Sequence, residues 1–234
     1  MGFTNEYAYN SSAVRDRSII KNVYLWMTAG LLLTGVVAYG LSSNPSLMRG
    51  IITNPVLFFG AMLAELGLVF YLSARIMQMS VQGATFAFAL YSALNGVTMS
   101  VIFLAYTGAT ISLAFFTTAA TFGAMSLYAM TTKRDLSGFG HYLMMGVIGI
   151  IIVSVINIFL KSPAVYYLIS YIGVAVFMGL TAFDTQRILQ MSNQMSGSVG
   201  EADYVRISIM GALKLYLDFI NIFLFLLRIF GRRR

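Results

Sequence analysis

Residues 142–160 read YLMMGVIGIIIVSVINIFL, an apolar run that contains no charged side chain. An α-helix needs about 20 such residues to cross the hydrocarbon core of a bilayer. The composition extends this pattern to the whole chain of 234 residues, since 59% are hydrophobic and only 10% are charged. We therefore predict an all-α integral membrane protein that forms one domain, residues 1–234.

Windows of similar hydropathy predict six clear spans and a seventh that is shorter and more polar. The predicted spans lie at about 23–42, 55–74, 84–106, 109–130, 142–160, 164–183 and 207–230, after a polar N-terminal tail at 1–20. The seventh segment carries Lys214, Asp218, Asn221 and Arg228, which would be unfavourable against lipid. We predict a seven-transmembrane-helix bundle in which the last helix is central and surrounded by its neighbours.

Small residues recur within the spans, where they allow helix backbones to approach closely. The glycines concerned are Gly60 and Gly67, Gly146 and Gly149, and Gly173 and Gly179. The chain contains no cysteine, so neither disulfides nor thiolate metal sites contribute to the fold. Packing alone must hold the helices together, and we predict that these glycines serve it.

The basic residues indicate an orientation rather than a nucleic-acid surface, although the net charge is +7. If the N-terminus is cytoplasmic, the inner ends of the first six spans are basic, whereas the outer loops carry only Arg49 and Lys161. A seventh full crossing would place the arginines at 232–234 outside, against the positive-inside rule. A re-entrant helix would return them to the cytoplasm, and the sequence leaves both alternatives open.

Two aspartates lie in segments where a membrane protein rarely tolerates charge. Asp184 lies in GLTAFDTQRI, residues 179–188, and Asp218 lies in LYLDFINIFLFLLRI, residues 215–229. An ionised carboxylate inside a bilayer is costly, so residues of this kind are usually functional. Both aspartates are therefore the first candidates for a functional site.

The segment GLTAFDTQRI, together with ALKLYLDFINIFLFLLRI at 212–229 and six preceding spans, resembles the Bax inhibitor-1 family over nearly the whole chain. The resemblance implies a seven-helix fold with a central last helix and a pH-sensitive calcium leak. It also implies that two aspartates, matched by Asp184 and Asp218, share protons at the inner end of a pore. An arginine near the end of the second span is matched by position by Arg75. The family occupies bacterial inner or plasma membranes, which we predict first, and the endoplasmic reticulum, which we place second.

Helix geometry favours treating the aspartates as a pair. Helical rise from about Ala164 places Asp184 roughly 30 Å along the sixth span, at its inner boundary, and the helix of Asp218 enters from that side. Two carboxylates in a partly dry site cannot both ionise cheaply, so we expect them to titrate as a unit. Carboxylate oxygens also suit calcium, so protons and calcium would compete. Calcium is thus predicted as a transiently bound, transported ion, with no cofactor.

Three further charged residues are candidates for gating. Arg75 arrives at the inner face, where it could pair with the deprotonated aspartates as a latch that protonation weakens. Glu65 and Arg75 are ten residues apart on the second span, as are Asp218 and Arg228 on the seventh. If Arg75 meets the aspartates across antiparallel helices, Glu65 falls near Arg228.

Local pairing is the simpler alternative for the aspartates. Asp184 lies three residues before Arg187, and Lys214 lies four residues before Asp218. Both spacings place the two side chains on one face of a helix. Each aspartate could therefore form a local salt bridge, with or without a coupled pair.

The remaining polar residues also have structural interpretations. A buried pair of Glu65 with Arg228 could serve packing register alone. His141 stands at a boundary between a loop and a span, and a single histidine is a poor metal site. The asparagines of the spans are expected to form interhelical hydrogen bonds: Asn95, Asn157 and Asn221.

Three functions of different classes follow. The first is a pH-sensitive calcium leak channel or exchanger, with the bilayer, calcium and protons as partners. The second, which the resemblance also implies, is a stress or cell-death regulator that contacts membrane partners such as a membrane protease, through residues 191–204 or 1–20. An intramembrane aspartyl protease is the least favoured, because Asp184 follows Ala182 and Phe183 rather than the glycine pattern of that class. No nucleotide loop or nucleophile triad appears, so we predict no enzyme and no nucleic-acid partner.

Overall fold

The computed structural model describes the backbone of residues 3–194 and 200–231, and the side chains of 19–51, 53–193 and 200–231. These residues form helices joined by short turns, with no strand in the described ranges. The helices are α1 Phe3–Ser42, α2 Pro45–Thr53, α3 Pro55–Arg75, α4 Val81–Met99, α5 Ile102–Ala105, α6 Gly108–Thr131, α7 Phe139–Leu160, α8 Pro163–Gln194 and α9 Glu201–Phe230. A 3-10 turn, Ile76–Gln78, follows α3.

Seven segments of the described chain are long and apolar enough to cross a membrane. They are Ile19–Ser42, Pro55–Gln78, Val81–Ala105, Gly108–Thr131, Phe139–Leu160, Pro163–Asn193 and Glu201–Phe230. The prediction of an all-α membrane protein with seven spans is therefore confirmed. The helix α1 already begins at Phe3, within the segment that the sequence suggested as a polar tail. Residues 195–199, from the predicted contact loop at 191–204, lie outside the described residues.

Residues of the turns act as helix caps. The side chain of Asn44 accepts hydrogen bonds from the backbone amides of Ser46 and Leu47, and Asn54 does the same at the start of α3. A proline follows each asparagine, at a position where a helix needs no amide donor. The short helix α2 lies between these two caps, in the gap between the predicted spans 23–42 and 55–74.

The helix α9 is the most buried of the seven spans. In its most apolar window 72% of the residues are buried, whereas the share is 6% in both Pro55–Gln78 and Phe139–Leu160. Burial removes Asp218 from lipid and partly covers Lys214, Asn221 and Arg228, which accounts for their tolerance in a membrane segment. The central position of this helix stays a prediction.

The chain packs as two compact units, and the boundary between them divides both α8 and α9. Unit 1 comprises Met1–Ala105 and Gln190–Tyr216, and unit 2 comprises Tyr106–Leu189 and Leu217–Arg234. In unit 1, the ring of Tyr216 packs edge-on against Phe88 and Tyr91, with centroids 6.1 and 5.6 Å apart. These aromatic contacts attach the first part of α9 to α4.

Aromatic contacts also hold the second part of α9, within unit 2. The ring of Phe219 packs against Phe115 and Phe122 of α6, with centroids 5.7 and 5.6 Å apart. The ring of Phe225 packs against Phe177 of α8 at 5.9 Å. Both flanking helices therefore contact α9 through phenylalanines.

The last helix is long and apolar enough for a full crossing of a membrane. It is unbroken from Glu201 to Phe230, and its end lies beside the turn between α7 and α8, since Arg228 lines one cavity with Lys161 and Pro163. About 45 Å of helix separates its two ends, which exceeds the thickness of a hydrocarbon core. The arginines at 232–234 lie outside the described residues.

The paired glycines differ in their surroundings. A Cβ built on Gly146, Gly173 or Gly179 would meet a side chain of a neighbouring helix, respectively Val176, Phe225 and Leu143. The prediction of close packing is confirmed at these three positions. It is wrong for Gly60, Gly67 and Gly149, because a Cβ at these positions would meet nothing within 4 Å.

Candidate functional site

The two predicted aspartates lie in the same unit, on α8 and α9. Asp218 is buried, with 4% of its surface exposed, and Asp184 is half-buried. The residues beside Asp184 on α8 are well packed, since Thr181 and Thr185 are both fully buried. The hydroxyl of Thr181 donates to the carbonyl oxygen of Phe177, 2.8 Å away on the same helix. The environment of both carboxyl groups is therefore largely protein rather than solvent.

Gln186 anchors the loop between α6 and α7 to α8. Its Oε1 accepts a hydrogen bond from the backbone amide of Leu136 at 2.7 Å, and its Nε2 donates to the carbonyl oxygen of Arg134 at 2.8 Å. Leu136 is buried together with Ala182 and Ala129. The segment on either side of Asp184 is thereby fixed to its own unit.

Arg228 lies near the end of α9, between two aromatic rings. Its guanidinium carbon is 5.5 Å from the ring centroid of Tyr166 and 5.3 Å from that of Phe225. Cation–π contacts of this kind orient the guanidinium and leave its positive charge in place. The sequence indicated a carboxylate partner for Arg228 and gave no sign of these rings.

Glu65 lies on α3 in unit 1, where it accepts two hydrogen bonds from α4. Asn95 Nδ2 donates to Glu65 Oε1, and Thr98 Oγ1 donates to Glu65 Oε2 at 2.9 Å. Asn95 is buried, and Glu65 is half-buried. A carboxylate in a membrane span is thus satisfied by an amide and a hydroxyl of the adjacent helix.

The remaining charged candidates are Arg75, Arg187 and Lys214. Arg75 ends α3, and its Nη1 donates to Gln78 Oε1 at 3.0 Å. Arg187 is exposed on α8, and Lys214 is half-buried on α9. Their predicted roles as a latch and as local partners of the aspartates stay predictions.

Unit 1 contains a hydrogen-bonded cluster that was not predicted from the sequence. The hydroxyl of Thr34 on α1 lies 2.7 Å from the hydroxyl of Tyr216 and 2.8 Å from the carbonyl oxygen of Ser92. All three residues are buried. The only signal in the sequence is a single threonine in the apolar run GLLLTGVV, which by itself identifies no partner.

Of the three asparagines, Asn95 forms the predicted interhelical hydrogen bond, with Glu65. Asn221 Nδ2 donates to the carbonyl oxygen of Leu217 in its own helix, and Asn157 Oδ1 accepts from the backbone amide of Ser162 in the following turn. His141 is exposed at the start of α7. Within the described ranges, no group of three or more His, Cys, Asp or Glu residues could hold a metal ion.

Comparison with known proteins gives consistent relatives along almost the entire chain. A family model described as "Inhibitor of apoptosis-promoting Bax1" matches residues 16–234. The inner membrane protein YbhL of Escherichia coli strain K12 is 50% identical over 218 residues, which cover 93% of each chain. An uncharacterized protein of Borreliella burgdorferi is 43% identical, covering 94% of this chain and 96% of the relative. An uncharacterized membrane protein of Streptococcus pyogenes serotype M1 is 38% identical, covering 96% of each chain.

Proposed function

The chain belongs to the family of inhibitors of apoptosis-promoting Bax1, and from this premise we propose that it is a pH-sensitive calcium leak channel or exchanger. Asp184 and Asp218 are the proposed proton-sharing and calcium-binding pair. The relative from Escherichia coli is named an inner membrane protein, and we propose the same membrane for this chain.

The packing of α8 on α9 is the observation that carries the proposal. Phe225 contacts Phe177 and also Gly173, which lies one turn earlier on α8. The two helices are antiparallel in unit 2, because Arg228 at the end of α9 lies over Tyr166 at the start of α8. Counting seven residues back from Phe225 gives Asp218, and counting seven forward from Phe177 gives Asp184. The contact thus favours similar levels for the two aspartates, within about one helical turn.

The same count of seven residues also indicates which face of each helix carries its aspartate. Seven residues make nearly two full turns of an α-helix, so a side chain seven positions away returns to almost the same face. Asp184 therefore shares a face of α8 with Phe177, and Asp218 shares a face of α9 with Phe225. The packing of these phenylalanines against each other therefore supports a placement of the two aspartates on facing sides of α8 and α9.

The burial of the pair provides the proposed chemistry. Asp218 is 4% exposed and Asp184 is half-buried, so little water is present to stabilise two negative charges. One proton shared between the carboxyl groups relieves their repulsion, and the titration belongs to the pair. A calcium ion relieves the same repulsion, because carboxylate oxygens are its preferred ligands. Protons and calcium therefore compete for one pair of side chains.

Gating is proposed to depend on Arg75, whereas the pairing of Glu65 with Arg228 stays a prediction from the sequence. A latch formed by Arg75 on the deprotonated aspartates would close the pathway, and protonation would weaken the attraction. Arg187 and Lys214 are the competing local partners, because each is within one turn of an aspartate on its own helix. Both the latch formed by Arg75 and the local pairs with Arg187 and Lys214 require a negative charge on the aspartates.

Calcium flux into proteoliposomes loaded with a calcium-sensitive dye tests the proposal. We expect Asp184→Asn and Asp218→Asn each to change the flux at least about tenfold, the effect of roughly 1.4 kcal/mol on the rate-limiting step. Asp135→Asn is the matched control, because Asp135 is an exposed aspartate in the loop before α7. A flux that both substitutions leave at the wild-type level would overturn the proposal.

A further inference from the structure

A cavity of about 700 Å³ lies in unit 2, where several helices begin or end. The helix α7 ends at Leu160, α8 begins at Pro163, and α9 ends at Phe230. The residues that line the cavity are Tyr106, Ser154, Asn157, Ile158, Lys161, Ser162, Pro163, Tyr166, Tyr167, Ile169, Arg228 and Gly231. The volume falls within the range of roughly 300 to 1,000 Å³ that is usual for small-molecule sites.

The cavity carries positive charge. Lys161 and Arg228 line it, and the described residues around it include no aspartate or glutamate. The rings of Tyr166 and Phe225 position the guanidinium of Arg228 without neutralising it. Two cations in one cavity repel calcium, so this site is distinct in chemistry from the aspartate pair. The electrostatics favour an anion.

The backbone at Lys161 is held in an unfavourable conformation. Its φ is 51°, in the left-handed region, where a helix usually ends in glycine. Asn157 accepts two hydrogen bonds that stabilise the turn: its carbonyl oxygen accepts from the amide of Lys161 at 2.8 Å, and its Oδ1 accepts from the amide of Ser162 at 3.1 Å. A long cationic side chain at a position suited to glycine indicates a role for the charge itself.

The position of the cavity corresponds to the headgroup region of a bilayer. Three spans begin or end beside it, and span ends lie at the boundary between hydrocarbon and water. Three tyrosines line it, Tyr106, Tyr166 and Tyr167, and this residue type is enriched at membrane interfaces. An apolar surface adjoins it, since Ile158 is 68% exposed on α7. An occupant can therefore place a charged group in the cavity and acyl chains on the outer surface.

We propose that this cavity binds the phosphodiester headgroup of an anionic glycerophospholipid. Lys161 and Arg228 contact the phosphate, as basic side chains do at other lipid headgroup sites. Ser162 and Asn157 add polar groups that can bond headgroup oxygens. The acyl chains lie along α7 and α8 beside Ile158 and Tyr167, which a soluble phosphate compound would leave uncovered.

Native mass spectrometry of the detergent-solubilised protein tests the proposal with three probes: dioleoylphosphatidylglycerol, dioleoylphosphatidylcholine and glycerol 3-phosphate. We expect saturable binding of the phosphatidylglycerol, about tenfold tighter than that of the zwitterionic lipid, which is a difference of roughly 1.4 kcal/mol. Glycerol 3-phosphate offers a phosphate without acyl chains, so it should bind more weakly than the phosphatidylglycerol. Equal affinity for the two lipids, or tight binding of glycerol 3-phosphate, would contradict the proposal.

Variants locate the binding within the molecule. Lys161→Asn removes the charge and keeps a residue that tolerates the left-handed conformation, so we expect a normal fold and about tenfold weaker phosphatidylglycerol binding. Lys161→Arg should retain binding, and Arg228→Gln should weaken it. Lys133→Gln is the matched control, because Lys133 is an exposed lysine of the loop between α6 and α7. If Lys161→Asn binds as the control does, the proposal is wrong, even where Arg228→Gln fails to fold.

Discussion

Gly173 lies so close to Phe225 that a Cβ built on the glycine would stand 2.5 Å from the ring atom Cε2. A real Cβ at that distance would force residue 173 or Phe225 to move, and the ring of Phe225 is already packed against Phe177. The absence of a side chain at position 173 therefore allows α8 and α9 to approach as closely as they do. This approach supports the alignment that we propose for Asp184 and Asp218.

The effect of adding a methyl group at Gly173 is the first prediction. We expect Gly173→Ala to destabilise the protein by about 1 to 3 kcal/mol, because a packed interface must open to admit the Cβ. Gly60→Ala is the matched control, since a Cβ at Gly60 meets nothing within 4 Å. That substitution should be neutral or stabilising by up to about 1 kcal/mol, from helix propensity alone. Thermal unfolding in detergent measures both, and equal effects would contradict the packing.

Disulfide cross-linking tests the alignment of the aspartates. The natural chain has no cysteine, so paired substitutions introduce the only thiols. We expect Asp184→Cys with Asp218→Cys to oxidise readily, because a disulfide requires Cα atoms within roughly 7 Å. Asp184→Cys with Leu224→Cys is the control, since six residues displace the second thiol by about 9 Å along α9. Equal cross-linking of the two pairs, measured by mass spectrometry after proteolysis, argues against the alignment.

The response of flux to pH tests the proposed latch. Protonation weakens the attraction of Arg75 for the aspartates, so we expect flux in the wild type to rise as the pH falls. Arg75→Gln should raise the flux at pH 8 and flatten the profile, because no latch remains to release. Arg49→Gln, at an exposed arginine of α2, should retain the wild-type profile. A lower flux in Arg75→Gln than in the wild type excludes the latch, whether or not the aspartates conduct.

Removal of the Glu65 partner should affect stability before flux. Asn95→Ala takes one hydrogen bond from a half-buried carboxylate, and we expect a loss of about 1 to 3 kcal/mol in unfolding free energy. Asn193→Ala is the control, because Asn193 is exposed near the end of α8. Thermal unfolding provides the comparison, and a melting temperature unchanged by Asn95→Ala would show that the contact contributes little.

The end of α9 should face the same side of the membrane as the turn between α7 and α8. A cysteine at Ser162 and a cysteine appended after Arg234 should both react with an impermeant maleimide added to one side of intact vesicles. Ser137→Cys, in the loop at the opposite end of α7, should react only from the other side. Labelling of the appended cysteine from the same side as Ser137→Cys would mean that α9 does not cross.

The spans and many of their boundaries follow from the sequence because their causes are local. Hydropathy over about 20 residues identifies a membrane helix, and Asn44 and Asn54 precede prolines that begin helices. The helix α2 was missed because only nine residues separate its caps, too few to span a membrane. A helix of nine residues is too short to be identified by hydropathy averaged over about 20 residues.

The candidate site was predictable only in its most unusual residues. Asp184 and Asp218 are recognisable because carboxylates are rare in membrane helices. The contact of Arg228 with Tyr166 could not be predicted, because Tyr166 is distant in the chain and is one of 14 tyrosines. Asn95 donates a hydrogen bond to Glu65 of the adjacent helix, whereas Asn157 and Asn221 bond to nearby backbone groups. The sequence does not distinguish the two cases, because a side-chain amide can bond a nearby backbone group equally well.

The polar content of α9 has a consequence for biosynthesis. At a helix centre, each charged residue adds about 2.5 to 3.5 kcal/mol to the free energy of insertion from the translocon, and α9 carries both Asp218 and Lys214. The run at 142–160 carries no charge and can partition into lipid alone. Since α9 follows six other candidate spans in the chain, these are already synthesised when it leaves the ribosome. Moving this helix to an earlier place in the gene, by circular permutation, should therefore impair membrane insertion more than moving α7.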